Sequence, residues 1–340
     1  MPVQTVAVLG GGSFGTVIAN IIAENGYQVR FWMRSESLAD EVNRSRENSR
    51  YLPGYRLHEN ILATHDMAAA VADAEMIFVA VPSAFFRRVL ERMKPHRRPD
   101  SLLVSTTKGI EAGSFLLMSQ VLREVLPGAP VGVLSGPNLA REIADRNLAG
   151  TVVASDDPEV MDKVRRVLRS EYFRVYSNAD MFGVELGGSL KNIYAIIAGL
   201  ASALGMGANT NGMLITRSLT EMARFGRRIG ADPMTFLGLS GVGDLIVTCS
   251  SSLSRNFSVG YGLGKGRSLD EIVDELGQVA EGVNTLKLVK HKADELDVYM
   301  PLASGLYAIM YEGQSVQHVV ASLMLGEQAL DVEYEAVESR

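Results

Sequence analysis

The chain has 340 residues, 47% of them apolar and 21% charged, with a formal net charge of −6. That length permits two domains with substantial cores, and the acidic balance excludes a basic nucleic-acid footprint. An anionic ligand must therefore be met by local cations, not by the global field. The single cysteine, Cys249, excludes an intrachain disulfide and fits a reducing compartment. The longest apolar run, Ile193 to Ala208, is shorter than the roughly 18 residues of a membrane span and is broken by glycines. The first strand pattern starts within a few residues of Met1, which leaves no room for a signal peptide. The expectation is a soluble, cytoplasmic protein with no membrane insertion and no nucleic-acid partner.

The β-formers Val6-Ala7-Val8-Leu9 run into Gly10, and a helical pattern opens at Phe14. Gly10, Gly12 and Gly15 stand at G-x-G-x-x-G spacing between that strand and that helix. Gly10 suits a tight turn, Gly12 admits a pyrophosphate close to the backbone, and Gly15 lets helix pack on strand. The helix N-terminus then offers free N–H groups to phosphate. Gln28 to Met33 reads as the second strand, and Arg34 follows it where a dinucleotide fold often carries Asp or Glu. A cation there suits a 2′-phosphate, so NADPH is favoured over NADH. A plain surface arginine at a strand end is the alternative.

Ser35 to Asn60 is long for a strand-to-helix connection, with a short helix expected around Leu38 to Arg44 and a loop at Tyr51-Leu52-Pro53-Gly54. The stretches Met76 to Val81, Leu102 to Ser105 and Val131 to Leu134 are continuously apolar, the pattern of parallel strands buried on both faces. Thr151 to Ala154 and Tyr172 to Tyr176 read as the last two strands. Strands alternating with helices predict an α/β, Rossmann-type doubly wound sheet. Ligands of such sheets bind beyond the strands' carboxyl ends. Pro82-Ser83, Lys108-Gly109 and Gly136-Pro137-Asn138 all fall there, and Lys108 is their only cation.

Strand patterns stop near Asn178, which divides the chain into 1–178, a helical 179–330 and an acidic tail, 331–340. Met181 to Leu204 reads as one long helix. Lys191 shares a face with Gly187, Gly188 and Ala195, so the glycines either leave open space for a ligand or serve a tight helix contact. A second helix is expected over Asn211 to Gly230. Thr248 to Asn256 reads as a polar, flexible loop in which Arg255 is the only cation, a suitable phosphate receptor. Gly260 to Gly266 fails the P-loop pattern, because Val259 and Gly266 hold its first glycine and its Ser/Thr positions, and reads as a turn-rich connector. The five histidines have no metal-ligand spacing, so no metal is expected.

Taken together, Gly10 to Thr16, Tyr51-Leu52-Pro53, Thr107 to Ile110, Ser135-Gly136-Pro137, Leu190-Lys191-Asn192, Gly241 to Leu245, Ser254-Arg255-Asn256 and Val279 to Gly282 resemble the bacterial NAD(P)-dependent sn-glycerol-3-phosphate dehydrogenases in order and spacing. The resemblance spans Val6 to about Leu330. It implies a Rossmann domain followed by an all-α domain like the C-terminal part of 6-phosphogluconate dehydrogenase, and a homodimer. It implies NADPH or NADH as cofactor and reversible reduction of dihydroxyacetone phosphate, a small phosphate substrate, for phospholipid synthesis. Lys191 would be the general acid/base, with Lys108 as a second cation near it. Gly10, Gly12, Ser13, Phe14, Gly15, Arg34, Lys108, Ala140, Arg255, Val279 and Glu281 would meet the cofactor. Lys108, Gly136, Asn138, Lys191, Asp244, Ser254, Arg255 and Asn256 would meet the substrate. Asn138 departs from the hydroxyl residue expected after Gly-Pro, although its amide can donate a hydrogen bond. A β-hydroxyacid dehydrogenase of related plan and a non-catalytic NADPH sensor are the alternatives.

Arg34→Asp should shift the ratio of kcat/KM for NADPH to that for NADH toward NADH, and an unmoved ratio means Arg34 does not read the 2′-phosphate.

Overall fold

The computed structural model describes residues 4–276 and 280–326. Val279 and the acidic tail, 331–340, lie outside the described residues. Backbone contacts divide the chain into two units, 1–185 and 186–340.

The first unit is built on an eight-stranded sheet of order β3-β2-β1-β4-β5-β6-β7-β8. Its elements are β1 (Thr5–Leu9), α1 (Ser13–Glu24), β2 (Gln28–Trp32), α2 (Glu36–Ser45), β3 (Ile61–Thr64), α3 (Met67–Val71), β4 (Met76–Val79), α4 (Phe86–Met93), β5 (Leu102–Ser105), α5 (Met118–Val125), β6 (Val131–Ser135), α6 (Ala140–Ala144), β7 (Ala149–Ala154), α7 (Pro158–Leu168) and β8 (Phe173–Asn178). Pairing is parallel throughout except between β6 and β7. The central strands β4, β5 and β6 are buried along their whole length, as continuous apolar runs require. Helix starts are set by local chemistry. Ser35 caps α2, Asp66 caps α3, and Asp157 caps α7, which has Pro158 in its first turn.

Two features depart from the sequence-based expectation. The strand β3 has no counterpart in it, being an edge strand of only four residues in which Leu62 is exposed between buried Ile61 and Ala63. The strand β7 matches the one expected at Thr151 to Ala154, but its antiparallel pairing with β6 is new. Only the five-residue α6 intervenes between it and β6, and this connection returns the chain beside β6 in the opposite sense.

The second unit is helical. The helix α8 (Met181–Ala203) begins in the first unit and continues into the second, followed by α9 (Ala208–Arg228), a 3₁₀ turn at Pro233–Leu237, a π turn at Leu239–Gly243, α10 (Asp244–Ser250), α11 (Arg255–Gly264), α12 (Leu269–Leu276), α13 (Glu281–Glu295), α14 (Pro301–Tyr311) and α15 (Val316–Leu325). The run expected as a turn-rich connector is thus mostly the end of α11. A Cβ on Gly260 would stand 1.7 Å from the Ile196 carbonyl oxygen of α8, so the glycine permits backbone-to-backbone helix packing. No described helix is long and apolar enough to cross a membrane.

Two buried glutamates satisfy helix N-termini. Glu185 of α8 accepts from the backbone N–H of Ser119 at 3.0 Å and from its hydroxyl at 2.5 Å, at the start of α5. Glu221 of α9 accepts from Leu302 N–H at 2.6 Å and Ala303 N–H at 3.3 Å, at the start of α14, and from the Tyr194 hydroxyl at 3.2 Å. Burial pushes both carboxyls up from 4.5 to about 7, while the donors they face pull the other way.

A raised carboxyl pKa means that the folded state keeps a proton which the unfolded chain releases above pH 4.5. Stability should therefore fall as pH rises from about 4.5 to 7, by up to ~3 kcal/mol per glutamate, and level off above that. Thermal unfolding across pH 4.5–8 should show this slope in wild type and a flatter profile in Glu185→Gln and Glu221→Gln. Parallel profiles would remove the two carboxyls as its source.

Candidate active site

In the first unit the carboxyl ends of the strands carry the expected groups. Strand β1 runs into Gly10, whose φ is +124° and whose Cβ would lie 2.3 Å from the Ala80 carbonyl oxygen beyond β4. At Gly15 a Cβ would lie 2.1 Å from the Gly10 oxygen, so strand, turn and helix can close only with glycine at both positions. Gly12 differs. Its φ is −73°, and an added Cβ would meet nothing within 4 Å. The protein's own packing does not require glycine there, whereas a bound pyrophosphate would, which is the fit expected of a dinucleotide cradle. Ser13 and Phe14 open α1 and are part-buried. The Ser13 hydroxyl donates to the Tyr51 carbonyl at 2.6 Å. Arg34 is exposed just past β2 and has no hydrogen-bond or ion-pair partner among the described residues.

The next loops are tied to one another. The Thr107 hydroxyl donates to the Val81 carbonyl at 2.7 Å, linking the ends of β5 and β4. Half-buried Lys108 donates from Nζ to the Gly136 carbonyl at 2.8 Å, linking the ends of β5 and β6. Asn138 spends its amide N–H on Thr151 Oγ1 at 3.0 Å, and that hydroxyl donates onward to the Ser135 carbonyl. Its Oδ1 is buried without a partner among the described residues. Asn138 thus has one amide N–H committed to Thr151, while its second N–H and its Oδ1 are not used by that bond. Ala140 is the first residue of α6 and packs on the core.

In the second unit Lys191 is the centre. Its Nζ donates to Asp244 Oδ1 and to Thr248 Oγ1, both at 2.5 Å, and Thr248 Oγ1 lies 3.2 Å from the same Asp244 oxygen. The ammonium side chain is 7% exposed and the carboxylate 1%. Lys191 is therefore largely closed off from solvent. The space at Gly187 is filled by protein, since a Cβ there would lie 2.9 Å from the Ser240 carbonyl oxygen and 3.4 Å from the Phe236 ring. Of the two uses considered for this glycine, the tight contact is the one present. It lets the segment before α10 lie against α8 and deliver Asp244 to Lys191.

The polar stretch after Asp244 is ordered into helices. Asp244, Thr248 and buried Cys249 belong to α10, and Ser254 is the N-cap of α11, its hydroxyl accepting from Phe257 N–H at 3.3 Å. Burial pushes the Cys249 thiol up to about 12, so it stays protonated. Arg255, first residue of α11, is exposed and has no partner among the described residues. Asn256 is buried, donating to Asn192 Oδ1 at 2.9 Å and accepting from Gly282 N–H at 3.0 Å. Glu281 opens α13 beside it in sequence. Thr248 and Asn192 were not singled out from sequence. Thr248 carried a signal, because it stands one helical turn after Asp244, but the stretch read as loop. The described residues contain no group of three or more His, Cys, Asp or Glu able to hold a metal.

Comparison with known proteins gives the family. Residues 5–161 match the family model for the N-terminus of NAD-dependent glycerol-3-phosphate dehydrogenase, and residues 180–321 match that for its C-terminus. A glycerol-3-phosphate dehydrogenase [NAD(P)+] from Ectopseudomonas mendocina is 57% identical, over 97% of each chain. One from Saccharophagus degradans is 55% identical over 97% of this chain and 92% of its own. The crystal structure of glycerol-3-phosphate dehydrogenase from Coxiella burnetii superposes with a TM-score of 0.90 at 36% identity, over 95% of this chain and 99% of that one. The chain belongs to the NAD-dependent glycerol-3-phosphate dehydrogenase family.

Proposed function

We propose that the protein reversibly reduces dihydroxyacetone phosphate to sn-glycerol 3-phosphate with NADPH or NADH, and that Lys191 is its general acid/base. The observation that carries the role of Lys191 is its burial against Asp244 and Thr248 in a chain of this family. A buried ammonium with a defined carboxylate partner is held in one orientation, as proton transfer at a fixed atom requires. The β-hydroxyacid and sensor alternatives find no comparable support, given relatives named as glycerol-3-phosphate dehydrogenases.

When bound, the dinucleotide supplies a hydride to C2 of the ketone. Lys191 donates a proton to the developing C2 alkoxide and takes it back in the reverse direction. Asp244 holds the ammonium, and Thr248 accepts from the same nitrogen. Arg255 and the N-terminal turn of α11, with Ser254 and Asn256, receive the phosphate through charge and free N–H groups. Lys108, Gly136 and the Asn138 amide serve the hydroxyl end of the substrate. The glycine turn holds the pyrophosphate, Arg34 the 2′-phosphate, and Phe14, Ala140, Val279 and Glu281 complete the cofactor contacts. Nucleotide binding is assigned to 1–178 and catalysis to 179–330. The product serves phospholipid synthesis, and the protein acts as a cytoplasmic homodimer.

The primary test follows absorbance of NADPH on addition of dihydroxyacetone phosphate to the purified protein. Substrate-dependent loss, slower with NADH, is expected. Lys191→Ala should lower kcat by roughly 10²–10⁴-fold, and near-normal turnover removes Lys191 from the chemistry. Asp244→Ala should lower both activity and melting temperature, because an uncompensated buried ammonium costs about 3–5 kcal/mol; an unchanged melting point refutes the pairing. Arg255→Ala should raise KM for dihydroxyacetone phosphate more than it lowers kcat.

A further inference from the structure

Asn48 sits in the long connection after α2, is fully buried, and has no assigned role. Its Nδ2 donates to the Gly11 carbonyl oxygen at 2.9 Å and to Thr16 Oγ1 at 2.8 Å. The Thr16 hydroxyl passes its own proton to the Gly12 carbonyl oxygen at 2.8 Å, which also accepts from Thr16 N–H at 2.9 Å. One amide therefore governs two successive carbonyls of the glycine turn, the first directly and the second through Thr16. The loop holds Asn48 in turn. Its carbonyl accepts from Leu52 N–H at 2.8 Å, Leu52 is buried in the core, and Ser13 Oγ fastens Tyr51 to the start of α1.

A peptide group is planar and trans, so the carbonyl of one residue and the N–H of the next point in opposite directions. Holding the Gly11 oxygen toward Asn48 turns the Gly12 N–H away from Asn48. Holding the Gly12 oxygen toward Thr16 does the same for the Ser13 N–H. Glycines tolerate most backbone conformations, and a flipped peptide would present an oxygen to an anion where an N–H is needed. A turn of three consecutive glycines thus needs an outside group to select its peptide orientation.

We infer that Asn48 is a positioning residue for the dinucleotide, locking the Gly10–Gly12 turn so that the Gly12 and Ser13 N–H groups face the pyrophosphate. The inference rests on the cofactor reading above. Since the pyrophosphate is common to both coenzymes, Asn48 acts equally on NADPH and NADH, whereas Arg34 acts on NADPH alone.

The experiment titrates the full-length protein with NADPH and with NADH, reading fluorescence of the single tryptophan, Trp32 of β2. Asn48→Ala and the isosteric Asn48→Asp, which has no donor, are compared with wild type. Both Kd values should rise by a common factor of about 10–100, as expected for weakened bonds to a charged group. The NADPH-to-NADH ratio and KM for dihydroxyacetone phosphate should stay constant. Folded variants with unchanged Kd values, or with only the NADPH value changed, overturn the inference. If neither variant folds, Thr16→Val, which cuts the relay to the Gly12 oxygen, must show the same common rise, and unchanged affinity there overturns it. Wild type that binds neither coenzyme removes the cofactor reading and the inference together, while wild-type binding with unaltered variants removes the inference alone.

Discussion

A buried ammonium must have a partner. Moving Lys191 out of water costs several kcal/mol unless a carboxylate and further acceptors meet it, and the nearest solution lies 53 residues away in the chain. Much of the second unit serves that requirement. Gly187 lets Phe236 and the Ser240 carbonyl press against α8. The π turn at Leu239–Gly243 then starts α10 with Asp244 and carries Thr248 one turn later onto the same nitrogen. A side chain at Gly187 would push this segment away and leave two buried charges apart.

The first unit follows the same rule with backbone groups in place of charges. Buried carbonyls need donors. At the glycine turn they find them in Asn48 and Thr16, and at the end of β6 in Lys108 and Thr151. Acceptors are thereby committed to the protein's interior at the carboxyl ends of the strands. The helix N-terminus of α1 supplies the complementary donors. A parallel sheet makes this possible, because each strand ends on the same side as the start of the helix that follows it.

The helix α8 concentrates these demands. It carries Glu185, Lys191, Asn192 and Tyr194, all buried, and each is bonded to a different element: α5, α10, α11 and α9. Glu185 and Glu221 are held near neutrality because burial opposes their charge, yet each ends a helix's need for N-terminal acceptors. Such fully bonded polar networks specify one packing arrangement at some cost in stability.

Local chemistry was readable directly from the chain. The glycine spacing, the continuous apolar strands, the cation after β2 and the change from strand to helix texture follow from short-range rules of turns, burial and periodicity. So did Lys191, Asp244 and the Ser254-Arg255-Asn256 turn, through resemblance in motif order. Other features needed distant partners. Thr248 and Asn192 matter through residues 57 and 64 positions away, and Asn48 through a turn 37 residues earlier. The run Gly260 to Gly266 reads as a connector because isolated glycines weaken a helix, and only contact with α8 at Gly260 and Gly264 and with Ile272 of α12 at Gly262 makes those glycines an asset. The edge strand β3 and the reversed direction of β7, though not β7 itself, depend on pairing partners in the same way. The sequence by itself determined which segments could bury and which backbone positions had to be glycine. Tertiary structure alone decided which polar group meets which, because a hydrogen bond or ion pair depends on separation in space and not along the chain.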